Sequence, residues 1–308
     1  MDGILVIDKP AGVTSHDVVN RVRRILGQKS VGHLGTLDPM ATGVLPLLLG
    51  NLTRLAQFYT ASEKDYEGII RFGFATDTYD ASGEATSAPE TIALSRQAMD
   101  DLAEGFRGTI HQIPPAFSAK KIQGQPAYKL ARKNQEVRLE PVQVEISELT
   151  ILTIDGDRVG FRARVGSGTY LRSLAHDMGQ RLGSGAHLQA LRRTRVGEFD
   201  LEQSCTLEEL IAASTRGSVE EVLIHPRLLL PQFPAVTANA EMIAKIRSGR
   251  AVNLPELSTA RRIKVFAGQR DLIAIATRVA GTLFHAKIVL VGRQNAGDKQ
   301  STSSAARG

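Results

Sequence analysis

The chain has 308 residues, of which 42% are hydrophobic and 23% charged, enough for one large domain or for a large and a small one. Its net charge of +6 suits a nucleic-acid partner but is also common among other soluble enzymes. Cys205 is the single cysteine, which excludes intramolecular disulfides and thiolate metal clusters. Because the chain shows neither a secretory signal pattern nor an apolar run that spans a bilayer, we expect a soluble cytoplasmic protein.

The predicted elements mix helices with strands. Gly3–Asp8 predicts a strand, and the apolar face of the next segment predicts a helix with Ser15 as its N-cap. Residues 66–74 and 158–165 alternate between apolar and polar side chains, as half-buried strands do. Another helix follows the Gly-Ser-Gly at 166–168. Since the order lacks a regular βαβ rhythm, we expect an α+β fold around a mixed or antiparallel sheet.

Two changes in composition predict domain boundaries. Residues 112–141 begin and end near prolines and are rich in Lys, Arg and Gln, which is typical of a protruding insertion. The second change lies near Pro231, after which a compact, strand-rich segment follows. We therefore expect a large domain over 1–230, a small domain over 231–294, and a disordered tail over 295–308 that lacks apolar residues.

The segment Gly32–Leu45, GHLGTLDPMATGVL, is the first candidate for chemistry. Its glycines allow tight turns and a close approach of the backbone to a ligand. Asp38 precedes Pro39, which biases the carboxylate residue away from helical dihedral angles. An aspartate that merely caps a turn explains the same pattern, so the residues alone leave both interpretations open.

Two further elements are candidates for the same site. Tyr66 lies at the start of a predicted strand, where its ring can border a cleft or simply be half exposed. Tyr170 and Arg172 follow the Gly-Ser-Gly turn at the start of a predicted helix. An arginine at a helix start can hold a carboxylate or a phosphate through two hydrogen bonds, although a surface arginine fits as well.

Several other chemistries lack support in the sequence. No histidines have metal-ligand spacing, and the lone cysteine has no partner, so we expect no metal site. A phosphate loop ending in Gly-Lys-Ser, a G-x-G-x-x-G after a strand and a G-x-S-x-G are all missing from the sequence. Carboxylate chemistry beside a basic surface remains, and it is compatible with several enzyme classes.

Taken together, several segments resemble the TruB family of tRNA pseudouridine synthases. They are KPAGVTSHDVV, GHLGTLDPMATGVL, KDYEGIIRFG, PPAFSAKKIQGQPAYKLAR, and GSGTYLRSLAHDMG followed by GAHLQALRRTRVG. The resemblance implies a catalytic role for Asp38, a proton-transferring and base-stacking role for Tyr66, and pairing of Arg172 with the carboxylate. It also implies substrate-binding or supporting roles for further residues, namely Lys9 with Pro10, His33, Tyr170 and Leu191.

The resemblance also implies the substrate and the reaction. The expected activity is isomerisation of the T-loop uridine at position 55 of tRNA to pseudouridine, on a flipped-out base and without cofactor or metal. Arg172 is expected to lower the pKa of Asp38 and to orient it. The insertion 112–141 matches the family's thumb, with Lys120, Lys129 and Arg132 as phosphate contacts, and the expected protein is a monomer.

The segment after residue 231 resembles a PUA domain, a small β-barrel-like RNA-binding module. The Ser-Gly-Arg near residue 249 and the alternating strand around 272–276 carry this resemblance. The expected phosphate contacts are Arg247, Arg250, Arg261, Arg262 and Lys264, although a solvated basic face fits the same residues.

Three alternative functions remain open. The same motifs occur in guide-RNA-dependent pseudouridine synthases, which work inside ribonucleoprotein particles. An RNA chaperone that refolds tRNA is the second alternative, and an N-glycoside hydrolase that uses Asp38 is the third. The order of covalent steps also stays open, because Asp38 can attack the sugar, attack the uracil ring or remove a sugar proton.

Overall fold

A computed structural model describes residues 1–117, 121–122, 125–126 and 139–290. The chain divides into two compact units, one spanning Met1–Ile224 and the other beginning at His225. Lys120, Lys129 and Arg132 lie outside the described residues, as does the predicted tail 295–308. In the described part of the chain, no helix has the length and apolar character needed to cross a membrane.

Over its described residues, the first unit contains four α-helices, α1 to α4, and twelve strands, β1 to β12. The helices are Ser15–Ile25, Arg96–Glu104, Leu171–Leu182 and Leu207–Arg216. The strands are Gly3–Lys9, Val31–His33, Thr42–Leu49, Lys64–Phe72, Gly108–Gln112, Lys121–Ile122, Gln125–Pro126, Val142–Asp155, Arg158–Val165, Ala186–Val196, Phe199–Asp200 and Leu223–Ile224.

One ten-stranded sheet organises this unit, in the order β12-β1-β3-β10-β4-β9-β8-β5, with β2 on β3 and β11 on β10. Strands β3 and β10 run parallel, whereas the other paired strands of the sheet run antiparallel. Within the predicted insertion 112–141, β6 and β7 form a separate two-stranded pair. The mixed sheet with helices confirms the predicted α+β class.

Two apolar clusters lie on the two halves of this sheet. In the first, helices α2 and α3 pack Met99 and Met178 against a half of the sheet that includes Phe72 and Phe161. In the second, α1 and α4 cover β1 and β3, with Val18 in that cluster. The halves join where β3 and β10 pair, so residues near that pairing are held by both cores.

The close approach of β3 to β10 requires a glycine at position 43. Gly43 has φ +101°, and a Cβ atom there would lie 2.2 Å from the carbonyl oxygen of Arg193. Its register partner is Arg193 itself, in the parallel pairing. A side chain at this position would therefore push apart the two halves of the sheet.

The element boundaries differ from the predictions in two instructive ways. The strand predicted over 158–165 is observed at that position, but the strand predicted over 66–74 runs over Lys64–Phe72. The predicted N-cap of α1 is wrong by one residue, because Thr14 and Asp17 form a reciprocal capping box. Ser15 instead faces inward, and its Oγ accepts from the amide of Leu37 at 2.8 Å.

In its described part, up to residue 290, the second unit contains one α-helix, α5, at Ala240–Arg247, and a five-stranded sheet. Its strands β13 to β17 are Ala235–Ala238, Val252–Asn253, Arg262–Ala267, Asp271–Ala280 and Leu283–Val289, in the order β13-β15-β16-β17-β14. The strands enclose a small core that includes Val265, Ile273 and Phe284. This small curled sheet fits the predicted PUA-like module.

One predicted phosphate contact in this unit is wrong. Lys264 is 3% exposed, and its Nζ donates to the carbonyl oxygens of Arg227 and Leu229 at 2.9 and 2.5 Å. Because the side chain is buried and its ammonium group contacts backbone carbonyl oxygens, Lys264 is not exposed to a phosphate at the surface. Arg247, Arg250 and Arg261 are exposed, and their role in RNA binding stays a prediction.

We expect Gly43→Ala to destabilise the protein by about 3 kcal/mol or more, because the added methyl group overlaps the backbone of β10. Gly156→Ala is the matched control, since Gly156 also has a positive φ, +57°, but no atom lies within 4 Å of its Cβ position. The control should lose only about 1 kcal/mol. Urea denaturation measures both, and equal losses would contradict the steric argument.

Candidate active site

The candidate carboxylate lies on the loop between β2 and β3, and the loop is fastened on both sides of it. On the N-terminal side, Leu37 exchanges two hydrogen bonds with the Ser15 hydroxyl, at 2.8 and 3.1 Å. On the C-terminal side, the amide of Gly12 donates to the carbonyl of Pro39 at 2.8 Å. Asp38 itself is half-buried, with its side chain 35% exposed. The loop therefore presents one carboxylate at a defined position.

Lys9 supports this loop from beneath. It is fully buried, and its Nζ donates to the carbonyl oxygens of Pro10, Val13 and Pro39 at 2.8, 2.7 and 3.3 Å. Burial, partly offset by Asp38, lowers the pKa of Lys9 to about 8. The structure thus places Lys9 under the loop, where it matches the expected supporting role rather than a contact with the substrate.

Arg193 is a second buried cation under the loop, and no sequence motif identified it in advance. It is fully buried, and its guanidinium donates to the carbonyl oxygens of Val44, Gly35 and Thr36 at 2.8, 3.1 and 3.4 Å. The only local signal is its position two residues after Leu191 on a strand, which puts both side chains on one face.

Arg172 lies in the first turn of α3 and meets the carboxylate of Asp38. Its Nε is 2.9 Å from one carboxylate oxygen, and its Nη2 donates to the other at 3.2 Å. Nη2 also donates to the carbonyl of Phe117 at 2.9 Å, and Nη1 donates to the carbonyl of Thr78 at 3.2 Å. Arg172 is 5% exposed and its guanidinium is held on several sides, so its orientation is fixed.

Asp80 is a second carboxylate beside the same guanidinium, and it is not among the residues predicted from the sequence. Its Oδ2 lies 3.6 Å from Arg172 Nη1, and Asp80 is 5% exposed. Its other oxygen accepts from the Thr78 hydroxyl at 2.8 Å and from the amide of Ser82 at 3.0 Å. The local sequence around Asp80 carries no signal for this contact, because its approach to Arg172 depends on the tertiary fold.

The electrostatic balance at Asp38 differs from the expected one. Burial raises the pKa of this carboxyl above its ordinary value, and the nearby Asp80 adds to that rise. Arg172 lowers the pKa as predicted, and Lys9 adds a smaller decrease. The net direction of the pKa shift is upward, so Arg172 offsets the cost of holding a charge in a half-buried site rather than making Asp38 unusually acidic.

Asp38 and Arg172 open into a cavity of about 330 Å³. Its wall includes Tyr66, which is 7% exposed on β4, with Tyr170 and Leu191. The full lining is Gly35, Thr36, Leu37, Asp38, Thr60, Lys64, Tyr66, Gly166, Ser167, Gly168, Thr169, Tyr170, Leu171, Arg172 and Leu191. Five of the sequence-predicted site residues therefore share one cavity that combines a carboxylate, a guanidinium, aromatic rings and an apolar side chain.

Other predicted site residues lie elsewhere. His33 is in β2 opposite Leu47, and it is not part of the cavity lining. Burial lowers the pKa of His33, which favours the neutral ring.

Gln112 supports the cavity although the sequence did not predict it. It is 1% exposed, and its side chain forms hydrogen bonds with both the amide and the carbonyl of Tyr170, at 3.1 and 3.4 Å. Over the residues that the structure describes, no cluster of three or more His, Cys, Asp or Glu side chains is placed to hold a metal.

Comparison with known families gives matches over most of the chain. The family described as "TruB family pseudouridylate synthase (N terminal domain)" matches residues 23–171. The family described as "tRNA pseudouridylate synthase B C-terminal domain" matches residues 172–232.

Curated relatives are similar over nearly their whole length. A protein of Solibacter usitatus named "tRNA pseudouridine synthase B" is 49% identical, with 94% of this chain and 100% of the relative covered. A protein of the same name from Geobacter sulfurreducens is 41% identical, with 91% and 95% covered. The resemblance drawn from the sequence motifs is thus confirmed.

Solved structures share the fold at lower identity. A chain from an H/ACA RNP bound to a substrate RNA that contains 2'-deoxyuridine is 24% identical, with a TM-score of 0.70. The match covers 95% of this chain and 86% of that one. A chain of an archaeal box H/ACA sRNP Nop10-Cbf5 complex is also 24% identical, with a TM-score of 0.68, and 95% and 87% are covered. These likenesses establish a shared fold.

Two substitutions should move the pKa of Asp38 in opposite directions. Arg172→Gln removes the cation that lowers it, so the pKa should rise further. Asp80→Asn removes a neighbouring negative charge that raises it, so the pKa should fall. Carboxyl-carbon NMR titration measures both, with the signal assigned by its loss in Asp38→Asn. Asp157→Asn, on the distant pair with Arg71, is the control that leaves the titration unchanged.

Proposed function

This chain belongs to the TruB family of pseudouridylate synthases, and we propose from that premise that it isomerises a uridine of tRNA to pseudouridine. The observation that carries the proposal is the Asp38 carboxylate, paired with a buried arginine at the edge of a cavity of about 330 Å³. A single flipped nucleotide is of this size class, whereas an intact duplex is excluded. The enzyme class is an isomerase that acts within one RNA molecule.

The reaction exchanges one bond for another within the same nucleotide. The bond between ribose C1' and uracil N1 breaks, the ring turns, and a bond forms between C1' and C5. The proton of C5 is lost and N1 gains one, so atoms and electrons balance without an oxidant, a reductant or water as a reactant. The chemistry therefore needs no redox or nucleotide cofactor.

We assign the catalytic roles to three residues. Asp38 supplies the carboxylate, and each of its three candidate steps (attack on the sugar, attack on the ring, or removal of a sugar proton) begins from the ionised form. Arg172 stabilises that form and fixes its direction. Tyr66 lines the cavity, so its ring can stack on the uracil and its hydroxyl can transfer a proton. The pairing of β4 with β10, in which Tyr66 is opposite Arg193, holds the residue in place.

The remaining cavity residues suit a base-binding role. Leu191 adds an apolar surface and Tyr170 an aromatic one, and Gln112 fixes the backbone of Tyr170. His33 is assigned to holding the opened RNA loop beside the cavity rather than the base inside it. This division matches the structure's separation of His33 from the cavity lining.

We further propose that the substrate region is the T stem-loop of tRNA, with the uridine at position 55 as the target, and that the protein acts as a monomer. The insertion 112–141 would close over the loop through Lys120, Lys129 and Arg132. The segment 231–294 would add contacts through its exposed arginines, of which Arg247, Arg250 and Arg261 are the candidates. The net charge of +6 supports electrostatic contacts with RNA phosphates that are spread over both segments.

Asp38→Asn should abolish turnover while tRNA binding stays within a few-fold, because the amide keeps the shape of the carboxylate but cannot act as a nucleophile or base. Purified protein is incubated with an unmodified tRNA transcript, and pseudouridine is mapped by carbodiimide-stop primer extension. A stop at the T-loop uridine is expected with wild type and with Asp157→Asn. Full activity of Asp38→Asn beyond slow deamidation would refute the assignment, and a stop elsewhere would refute the T-loop target.

Replacing Lys120, Lys129 and Arg132 by Gln together should weaken tRNA binding. The slope of the logarithm of the binding constant against the logarithm of salt concentration should fall in magnitude by roughly two to three, because fewer counterions are released when fewer phosphates are contacted. Arg71, Arg162 and Arg164 provide a matched triple control, since each already pairs with a nearby carboxylate. Filter binding over a range of salt concentrations gives both slopes. An unchanged slope in the first triple variant would remove the phosphate role of the insertion.

A further inference from the structure

A segment behind Arg172 contains a residue with an unusual backbone conformation. Tyr79 has φ +63°, in the left-handed region that side chains other than glycine rarely adopt. Leu230 is the only other non-glycine residue with a positive φ among the residues that the structure describes. Backbone strain of this kind persists where the surroundings enforce it, and it concentrates at functional sites.

The two neighbours of Tyr79 both contact one nitrogen of Arg172. The carbonyl oxygen of Thr78 accepts from Nη1 at 3.2 Å, and Oδ2 of Asp80 lies 3.6 Å from the same Nη1. The dihedral angles of Tyr79 therefore set the spacing of two groups that grip the guanidinium. A relaxed conformation at this residue would separate at least one of them from Arg172.

The side chain of Tyr79 is held by a second residue of the same helix as Arg172. Its ring stacks on the imidazole of His176, with 3.8 Å between the centroids and 14° between the planes. His176 follows Arg172 by four residues in α3, which places both side chains on one face, one turn apart. Burial lowers the pKa of His176 and favours its neutral ring.

Backbone hydrogen bonds fix the other side of the segment. The amide of Leu188 donates to the carbonyl of Tyr79 at 3.0 Å, and the amide of Ala81 donates to the carbonyl of Leu188 at 3.0 Å. The Thr76 hydroxyl donates to the carbonyl of Asp80 at 2.7 Å. Strand β10 thus holds the backbone, while helix α3 holds the ring, and the segment is fastened between them.

We propose that His176 is a positioning residue for catalysis: by stacking on Tyr79 it keeps Thr78 and Asp80 against Arg172, and it thereby orients the guanidinium that pairs with Asp38. The role belongs to the flat shape of the ring rather than to its proton, since the ring contacts Tyr79 through its face. Its effect on the rate rests on the proposed isomerase function, whereas its effect on the Arg172–Asp80 contact does not.

The kinetic test compares His176→Ala with His176→Phe in single-turnover pseudouridine formation at saturating enzyme. We expect His176→Ala to be about tenfold slower, because a small misplacement of a catalytic pair is costly, while its Kd for tRNA stays within about twofold. His176→Phe should keep a rate within about twofold of wild type, because a flat ring restores the stack. His111→Ala, at an exposed histidine of β5, is the matched control.

A double-mutant cycle separates positioning through Asp80 from a general loss of stability. His176→Ala combined with Asp80→Asn should react no more slowly than Asp80→Asn alone, at a temperature where thermal unfolding shows every variant folded. A wild-type rate in His176→Ala, a phenylalanine variant as slow as the alanine variant, or additive losses in the double variant would each overturn the proposal.

A crystal structure of His176→Ala supplies a readout that needs no turnover. We expect the separation of Asp80 Oδ2 and Arg172 Nη1 to exceed the 3.6 Å of the wild-type protein, with Tyr79 out of the left-handed region. An unchanged contact overturns the positioning role whether or not the protein forms pseudouridine. Failure of the proposed function is seen separately, as an absence of product with the wild-type protein in the same assay.

Discussion

The candidate site depends on one buried guanidinium. Arg172 is 5% exposed and carries a charge that the apolar core cannot accommodate alone, so every contact around it compensates for lost hydration. Two carboxylates and two backbone carbonyls supply that compensation from separate parts of the chain. The same contacts bring Asp38 to the edge of the cavity. The same set of interactions thus stabilises the buried charge and determines the geometry of the site.

The sheet explains why these parts of the chain meet. The parallel pairing of β3 with β10 places the end of the Asp38 loop beside Arg193, and β10 also pairs with β4, which carries Tyr66. Helix α3 packs on that half of the sheet and places Arg172, in its first turn, and Tyr170, its N-cap residue, at the cavity. One mixed sheet therefore collects catalytic candidates that lie more than a hundred residues apart in sequence.

Sequence reasoning succeeds where a signal is local or belongs to a family motif. Alternation alone predicts the strand over 158–165, and the motifs single out Asp38, Tyr66 and Arg172, which the fold brings together. Prediction from the sequence fails where a residue's contact partner is distant in the chain. Asp80 resembles an ordinary turn residue, and Arg193 resembles a surface arginine, until the tertiary structure gives them Arg172 and the loop carbonyls. Lys264 was misassigned for the same reason, because a lysine's burial is decided by the sheet around it.

The two cations beneath the Asp38 loop have a consequence for how work is divided between enzyme and RNA. Lys9 and Arg193 donate hydrogen bonds to the carbonyl oxygens of Gly35, Thr36 and Pro39, so the loop that carries Asp38 is held rigidly. A rigid carboxylate cannot travel toward a stacked base, and the RNA must undergo the deformation instead. Nucleotides with a low free energy of unstacking are then the favoured substrates. Selectivity therefore depends partly on how easily the RNA deforms and not only on the contacts inside the cavity.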